Sequence, residues 1–240
     1  MAVKVSETAT AAKPAKEKFT FYLPVYDKLV QKMLVDHDHK IVLDPNAEYD
    51  VALFAGGPDI CPILYGEKLL DPTYLNINRD LAEISFFKTL HPARLKVGIC
   101  RGAQLLNVMS GGTLWQDVNN HHTKVGHHVT NSIGDDYIAS SRHHQQMIPG
   151  PDAWVIGWAN LSTMKRNHAL GVKQYNESFI SNSSIPHDPE VIYYANTNSI
   201  CFQPHPEDDR FPECTRAFFE YIGWMWSEKQ HTQSLKDWRQ

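Results

Sequence analysis

Short apolar runs alternate with helical stripes through the first half of the chain. Runs of aromatic and branched residues, typical of strands, occupy residues 19–25, 41–43, 51–54 and 95–99. Apolar residues recur at three- and four-residue steps, as on one face of a helix, over residues 26–35, 79–90 and 103–109. Strands and helices that alternate in this way predict βαβ units and a parallel sheet.

The second half follows a different pattern. Residues 119–136 are polar and rich in His, Asn and Gly, which predicts a loop. Further strand-like runs lie at residues 154–158, 171–175, 191–195 and 200–202. An apolar face over residues 214–226 predicts a closing helix.

The two ends of the chain are polar. Residues 1–17 carry too little apolar surface to offset the entropy of ordering, so we expect a flexible tail. Residues 229–240 form a second polar tail. One domain is therefore expected over residues 18–228.

Composition narrows the class of protein. The 240 residues carry a formal net charge of −4, with 42% hydrophobic and 21% charged residues, so a basic nucleic-acid-binding surface is not expected. No apolar run approaches the roughly 20 residues of a membrane span, and no signal-peptide stretch is visible, so we expect a cytoplasmic protein. The four cysteines show no CxxC pairing and predict free thiols rather than a disulfide framework.

Candidate chemistry centres on Cys100. Gly98 and Gly102 flank it at the point where a predicted strand turns directly into a predicted helix, the layout of a nucleophile elbow. Small residues at these two positions let the strand and the helix approach each other. A helix N-terminus favours the thiolate of Cys100 over the thiol, and therefore a nucleophile.

A candidate general base for the Cys100 thiol comes directly after the strand-like run at residues 200–202. His205 lies between Pro204 and Pro206, which restrict its backbone, and Glu207 follows two residues later. In extended chain, residues i and i+2 point the same way, so the Glu207 carboxylate is placed to orient the His205 ring. A surface turn with an incidental charged pair is the alternative interpretation of so short a motif.

Glycines after the strand at residues 51–54 suggest a third part of the site. Gly56 and Gly57 leave the backbone open at the strand end, where acyl transfer needs N–H donors for an oxyanion. We assign the backbone N–H groups of Gly57 and Arg101 to this oxyanion hole.

Three motifs in this order resemble the class I glutamine amidotransferase superfamily. They are Gly56-Gly57-Pro58, Gly98-Ile99-Cys100-Arg101-Gly102-Ala103-Gln104 and Gln203-Pro204-His205-Pro206-Glu207. Within it, Arg101 directly after the nucleophile, Leu64-Tyr65-Gly66, Gly111-Gly112-Thr113-Leu114-Trp115-Gln116-Asp117 and Ser140-Ser141-Arg142-His143-His144-Gln145 resemble the gamma-glutamyl-gamma-aminobutyrate hydrolase branch.

The resemblance implies a flavodoxin-like doubly wound α/β fold, with a mostly parallel sheet and helices on both faces. It also implies a Cys100–His205–Glu207 catalytic triad, a gamma-glutamyl thioester intermediate and no metal or organic cofactor. We expect substrate contacts from Gly56, Arg101, Gln104, His143 and His144. For Gln104, a role in packing or capping alone is the alternative.

Six histidines in adjacent pairs raise a metal site as a rival hypothesis: His121, His122, His127, His128, His143 and His144. It is disfavoured because neighbouring histidines point in different directions and no carboxylate or cysteine lies at ligand spacing. We therefore expect no metal.

The expected substrate is a small gamma-glutamyl amide, with neither nucleic acid nor membrane as a partner. A glutaminase subunit that delivers ammonia to a separate synthetase or ligase is the alternative enzyme, and a binding module on the same fold is the non-enzymatic one. Association of two copies of the chain into a homodimer is a further hypothesis.

Overall fold

The first half of the chain forms the alternating strands and helices that its apolar pattern predicts. The computed structural model describes residues 18–70, 73–118, 121–132, 134–159 and 188–237, so the expected tail at residues 1–17 and strand at 171–175 lie outside the described residues. The elements of this half are β1 (Thr20–Tyr22), α1 (Lys28–Asp36), β2 (Lys40–Val42), β3 (Val51–Phe54), a 3₁₀ turn (Pro62–Tyr65), α2 (Ile77–Thr89), β4 (Leu95–Ile99) and α3 (Arg101–Met109).

The second half contributes mostly strands. Its described elements are β5 (Thr113–Trp115), β6 (His122–Asn131), β7 (Asp136–Arg142), β8 (Gln146–Ile148), β9 (Ala153–Ala159), β10 (Asp188–Tyr194), β11 (Ser199–Phe202) and α4 (Pro212–Asp237). Among the helices of these described residues, none combines the length and the apolar character needed to cross a lipid bilayer.

One mixed sheet organises the described strands, in the order β2-β1-β3-β4-β11-β10-β9-β6-β7. The first five strands in this order pair in parallel, and their 2-1-3-4-5 arrangement is that of flavodoxin-like folds. The predicted fold class is therefore confirmed. Strands β10, β9, β6 and β7 extend the sheet with antiparallel pairs, and β5 and β8 form a separate ribbon.

Successive side chains of the central strands point to opposite faces of the sheet. The hydrophobic core is therefore divided into two clusters, one on each face. On β3, Val51 and Leu53 pack in a buried cluster with residues of α1 and α4. Ala52 and Phe54 belong to a second cluster, with residues of α2 and α3. Helices thus cover both faces, as a parallel sheet requires.

The loop predicted over residues 119–136 is wrong, because most of this segment is strand β6, which forms a hairpin with β7. Its polarity has two physical causes. One face of β6 is exposed, and its buried face carries His127 beside Val129, so the segment lacks an apolar pattern. A register shift between Thr123 and His127, with Gly126 at φ +72°, also interrupts the alternation.

The closing helix is longer than its apolar face predicts. α4 begins at Pro212 and ends at Asp237, so it continues past residue 226 into the segment expected to be a polar tail. Among the described side chains of α4, the buried apolar residues end at Met225.

Candidate active site

Cys100 lies on a strained turn between β4 and α3. Its φ of +48° and ψ of −105° are unusual for a residue with a side chain. The backbone holds it there, because Cys100 N–H donates to Phe202 O at 2.9 Å and Gln104 N–H donates to Cys100 O at 3.0 Å. This geometry matches the predicted nucleophile elbow, with the thiol at the N-terminus of a helix.

The two glycines around Cys100 are required by close packing. A Cβ on Gly98 would collide with the backbone of Gly102 and Ala103, and a Cβ on Gly102 would collide with Phe54 O on β3. Strand β4, strand β3 and the first turn of α3 therefore approach each other through backbone alone.

His205 and Glu207 meet just beyond the end of β11. The Nδ1 atom of His205 lies 2.6 Å from Oε1 of Glu207, which orients the ring as predicted. Burial lowers the pKa of His205, but the adjacent Cys100 and Glu207 outweigh it and raise that pKa well above its usual value. The imidazolium is thus stabilised between a sulfur and a carboxylate.

Ser140 on β7 fixes the backbone of this histidine. His205 N–H donates to Ser140 Oγ at 2.6 Å, and the Ser140 hydroxyl donates to His205 O at 3.3 Å. The β6–β7 hairpin therefore supports the candidate base, a contact that the sequence motif around residue 140 did not specify.

Gly56 lies against both reacting groups. A Cβ at this position would be 3.1 Å from His205 Cε1 and 4.0 Å from Cys100 Cβ. The glycine therefore makes room for the imidazole beside the thiol. Its predicted substrate contact remains a prediction.

Gly56→Ala is expected to lower kcat/KM about tenfold or more, because the new methyl group displaces the His205 ring by a few tenths of an ångström. The melting temperature is expected to change little, since only the end of one side chain has to move. Steady-state kinetics and thermal unfolding of the same preparation check both parts. Unchanged kcat/KM would contradict the tight fit of this loop against His205.

The neighbouring Gly57 is held by Arg79, which sequence reasoning missed. Gly57 has φ +152°, and a Cβ there would collide with the guanidinium of Arg79. The same guanidinium donates through Nη2 to Ala55 O at 3.0 Å. Arg79 on α2 thus fixes the loop whose Gly57 N–H is assigned to the oxyanion hole.

The Arg101 side chain lies beneath the elbow rather than at its surface, and the substrate contact predicted for Arg101 remains a prediction. The guanidinium is 1% exposed and is paired with Asp80 and Glu83 of α2, beneath the elbow. Burial lowers the pKa of Arg101 to about 10, so it remains charged at neutral pH. Its side chain anchors α3 to α2, and only its backbone N–H remains a candidate for the oxyanion hole.

Two buried glutamines connect Cys100 to the rest of the site. Gln203 Nε2 lies 3.8 Å from Cys100 Sγ. Gln104 Nε2 donates to Gln203 Oε1 at 3.4 Å and to Gln145 O at 3.3 Å. Gln104 thus packs within a protein network, the alternative role for this residue, while its contact with substrate remains a prediction. Gln203, two residues before His205, was not singled out from the sequence.

His144 bridges two loops at the edge of the site. Its Nε2 lies 3.0 Å from both carboxylate oxygens of Asp59, just after the Gly56-Gly57-Pro58 loop. This hydrogen bond with Asp59 raises the pKa of His144 against the opposing effect of burial. With its side chain 37% exposed, His144 is accessible at the surface, and its contact with substrate remains a prediction.

His144→Gln is expected to destabilise the protein more in mild acid than in base. The pKa of His144 is raised on folding, so its contribution is fully present below about pH 6.5 and is lost as pH rises through the folded-state pKa. Partial exposure limits the effect to about 1 kcal/mol. Urea unfolding at acidic and alkaline pH checks this, with the exposed His128→Gln as control. An equal loss at both pH values would contradict the ion pair.

His143 is buried beside the site, and its predicted substrate contact remains a prediction. It is 3% exposed and lies in a buried cluster with His121, His127 and Glu190. Its Nδ1 lies 2.9 Å from Gln145 O. Burial lowers the pKa of His143, despite the nearby Glu190 carboxylate.

Comparison with known proteins identifies the family. A family model described as Peptidase C26 matches residues 31–207, a span that includes the Gly56 loop, the Cys100 elbow and the His205–Glu207 pair. The chain belongs to the Peptidase C26 family. This membership supports a hydrolase of carbon–nitrogen amide bonds, of glutamine amidotransferase type, which is the broad class predicted from the sequence.

Several curated proteins are similar in sequence to this C26 protein. NtpR of Enterococcus hirae is 32% identical over 173 residues, covering 57% of this chain and 70% of NtpR. A putative glutamine amidotransferase of Schizosaccharomyces pombe is 29% identical over 189 residues, covering 75% of this chain and 72% of that protein. The putative glutamine amidotransferase-like YvdE homolog of Lactococcus lactis is 31% identical over 122 residues, covering 40% of this chain and 62% of that protein.

Solved structures support the fold of this C26 protein. PurLQS from Thermotoga maritima superimposes with a TM-score of 0.56 at 16% identity, over 89% of this chain and 98% of that chain. A putative GMP synthase component from Thermoplasma acidophilum gives 0.55 at 15% identity, over 90% and 97%. At these identities the likeness concerns the fold alone.

Proposed function

We propose that this C26 protein hydrolyses the gamma-glutamyl amide bond of a small substrate through a thioester on Cys100. The observation that carries the proposal is the triad geometry. A cysteine on a strained elbow interacts with a histidine, and Nδ1 of that histidine is 2.6 Å from a buried carboxylate. These are the parts of a nucleophile, a base and an orienting group.

In the first half of the reaction, the Cys100 thiolate attacks the delta-carbonyl carbon and forms a carbon–sulfur bond. The carbonyl oxygen becomes an oxyanion, which the backbone N–H groups of Gly57 and Arg101 stabilise. His205 then donates a proton to the leaving amine as the carbon–nitrogen bond breaks, so the amine departs neutral and the acyl group remains as a thioester.

In the second half, neutral His205 removes a proton from water as the water oxygen attacks the thioester. The carbon–sulfur bond breaks, glutamate is released and the thiolate–imidazolium pair is restored. Glu207 keeps the His205 ring in one orientation throughout, as a positioning residue. Gln203, Arg79 and Ser140 act indirectly, by holding the thiol, the Gly57 loop and the histidine backbone.

The test is product release from glutamine and from a panel of gamma-glutamyl amines, with Cys100→Ala as the matched control. Amine release from the panel, absent in the control, supports a freestanding gamma-glutamyl hydrolase. Ammonia release from glutamine alone points instead to a glutaminase, which uses the same thioester and which a synthetase partner would stimulate. No turnover of either class, in protein shown to be folded, would overturn the proposal.

A further inference from the structure

A buried cluster of imidazoles and carboxylates lies beside the candidate active site without being part of the triad. His121 precedes β6, His127 lies on β6, and His143 follows β7. Glu190 comes from β10. The side chains of His121 and Glu190 are 0% exposed, that of His143 is 1% exposed and that of His127 is 6% exposed.

The donor atoms of this cluster converge on one carboxylate oxygen. Glu190 Oε1 lies 3.4 Å from His121 Nδ1, 3.3 Å from His127 Nε2 and 3.6 Å from His143 Nε2. Ligand atoms of His121, His143 and Glu190 all lie within 4.8 Å of one another. Two imidazole nitrogens and a carboxylate oxygen thus surround one small volume, and the imidazole of His127 approaches the same Glu190 oxygen.

These separations fit metal ligands better than hydrogen bonds. Charge-assisted hydrogen bonds between nitrogen and oxygen are about 2.7–2.9 Å long, and two ligands of a tetrahedral zinc ion lie roughly 3.3–3.6 Å apart. Among the described residues, both ring nitrogens of His121, both oxygens of Glu190 and His143 Nε2 have no hydrogen-bond partner. Buried polar atoms of this kind are costly unless a further group satisfies them.

In His143 and His121, the ring nitrogen that points away from Glu190 faces an oxygen atom, as is usual for metal-binding histidines. His143 Nδ1 is 2.9 Å from Gln145 O, so the ring donates its Nδ1–H there and presents the Nε2 lone pair to the cluster. His121 Nε2 faces Asp188 Oδ2 at 3.7 Å, leaving Nδ1 toward Glu190. A divalent cation would also balance the charge of the buried Glu190 carboxylate.

We propose that His121, His143 and Glu190 bind one Zn²⁺ ion, with His127 as the fourth ligand and Asp188 orienting His121. Imidazole with carboxylate suits zinc and neighbouring first-row metals, whereas Mg²⁺ and Ca²⁺ prefer oxygen ligands alone. With four protein ligands in a buried position, the site is structural rather than catalytic.

The position of the cluster indicates a structural role for the ion, between the β6–β7 hairpin and strand β10. His143 N–H donates to His121 O at 3.0 Å at the open end of the β6–β7 hairpin, opposite its turn, and Glu190 belongs to a strand in the centre of the sheet. The ion therefore fastens the hairpin to the sheet. The same hairpin holds His205 through Ser140, and Gln145 connects His143 to Gln104.

The test measures zinc in the full-length chain and does not depend on turnover. Protein stripped with a chelator is titrated with Zn²⁺ while bound metal and melting temperature are recorded, and with Co²⁺ while its visible absorption is recorded. We expect about one Zn²⁺ per chain, a rise in melting temperature of several degrees and the intense bands of tetrahedral Co²⁺.

Glu190→Gln and His143→Asn are the ligand variants, and His122→Ala and His128→Ala are the controls, since these two histidines are exposed neighbours on β6. The controls should retain the metal and the ligand variants should lose it. No zinc bound to the unsubstituted chain, or a melting temperature and Co²⁺ spectrum that do not respond, would overturn the proposal. The Co²⁺ spectrum of the unsubstituted chain decides the matter even if the ligand variants fail to fold.

Discussion

Cys100→Ala should abolish turnover, with a loss of about 10⁴-fold or more, while the protein remains folded. The reason is that the other described parts of the site, His205 with Glu207 and the loop N–H groups, transfer protons, orient groups and stabilise charge, but form no covalent bond to the acyl group. The loss is measured as kcat on the best substrate of the panel, with circular dichroism to establish that the fold is retained.

A second substitution at position 100 separates the loss of the nucleophile from the effect of backbone strain on stability. The φ of +48° at Cys100 disfavours any side chain, so Cys100→Gly should be more stable than Cys100→Ala by about 1 kcal/mol, and equally inactive. Unfolding in urea measures this difference. Activity in either variant would contradict the nucleophile, and equal stability would contradict the strained elbow.

Arg101→Met should destabilise the protein by about 3–5 kcal/mol, because it leaves buried Asp80 without its ion-pair partner and leaves Glu83 with Arg79 alone. The side chains of these partners are only 1% and 2% exposed, so water cannot replace the guanidinium. Chemical denaturation followed by far-ultraviolet circular dichroism gives the free energy of unfolding.

The matched control is Arg216→Met on α4, whose ion pair with Glu220 is exposed at 65% and 61% of the two side chains. It should change stability by less than about 0.5 kcal/mol. Adding Asp80→Asn and Glu83→Gln to Arg101→Met should recover part of the loss. If the single Arg101 variant were as stable as the Arg216 variant, Arg101 would not anchor the elbow as described.

The elbow was predictable because its chemistry is local in sequence. Gly98, Cys100 and Gly102 occupy consecutive alternate positions where a strand meets a helix, and the structure requires both glycines for close backbone contact. The same holds for His205 and Glu207, two residues apart. That these two segments would meet follows from the parallel sheet, since the ends of adjacent strands β4 and β11 lie at one edge.

The role of Arg101 was not predictable in this way. Its partners, Asp80 and Glu83, stand three residues apart on α2, where charged residues ordinarily mark a solvated face. Only the packing of α2 against α3 shows that this face is buried. Nothing in the motif around Cys100 distinguishes a guanidinium that binds substrate from one that lies beneath the turn.

The histidines show a similar limit. Neighbouring histidines do point in different directions, and for that reason one member of each pair, His121, His127 and His143, is buried while its partner is not. The inward members converge because the hairpin folds them together. Their carboxylate, Glu190, lies far along the chain, so local spacing carried no sign of it.

The most direct test of Cys100 as the nucleophile is the mass of the intact protein after reaction with 6-diazo-5-oxo-norleucine, a glutamine-like electrophile, followed by peptide mapping. We expect one adduct, on Cys100 and absent from Cys100→Ala. Burial raises the pKa of the Cys201 and Cys214 thiols, which keeps both inert. No adduct, or an adduct on Cys61 that persists in Cys100→Ala, would contradict a Cys100-dependent amidohydrolase.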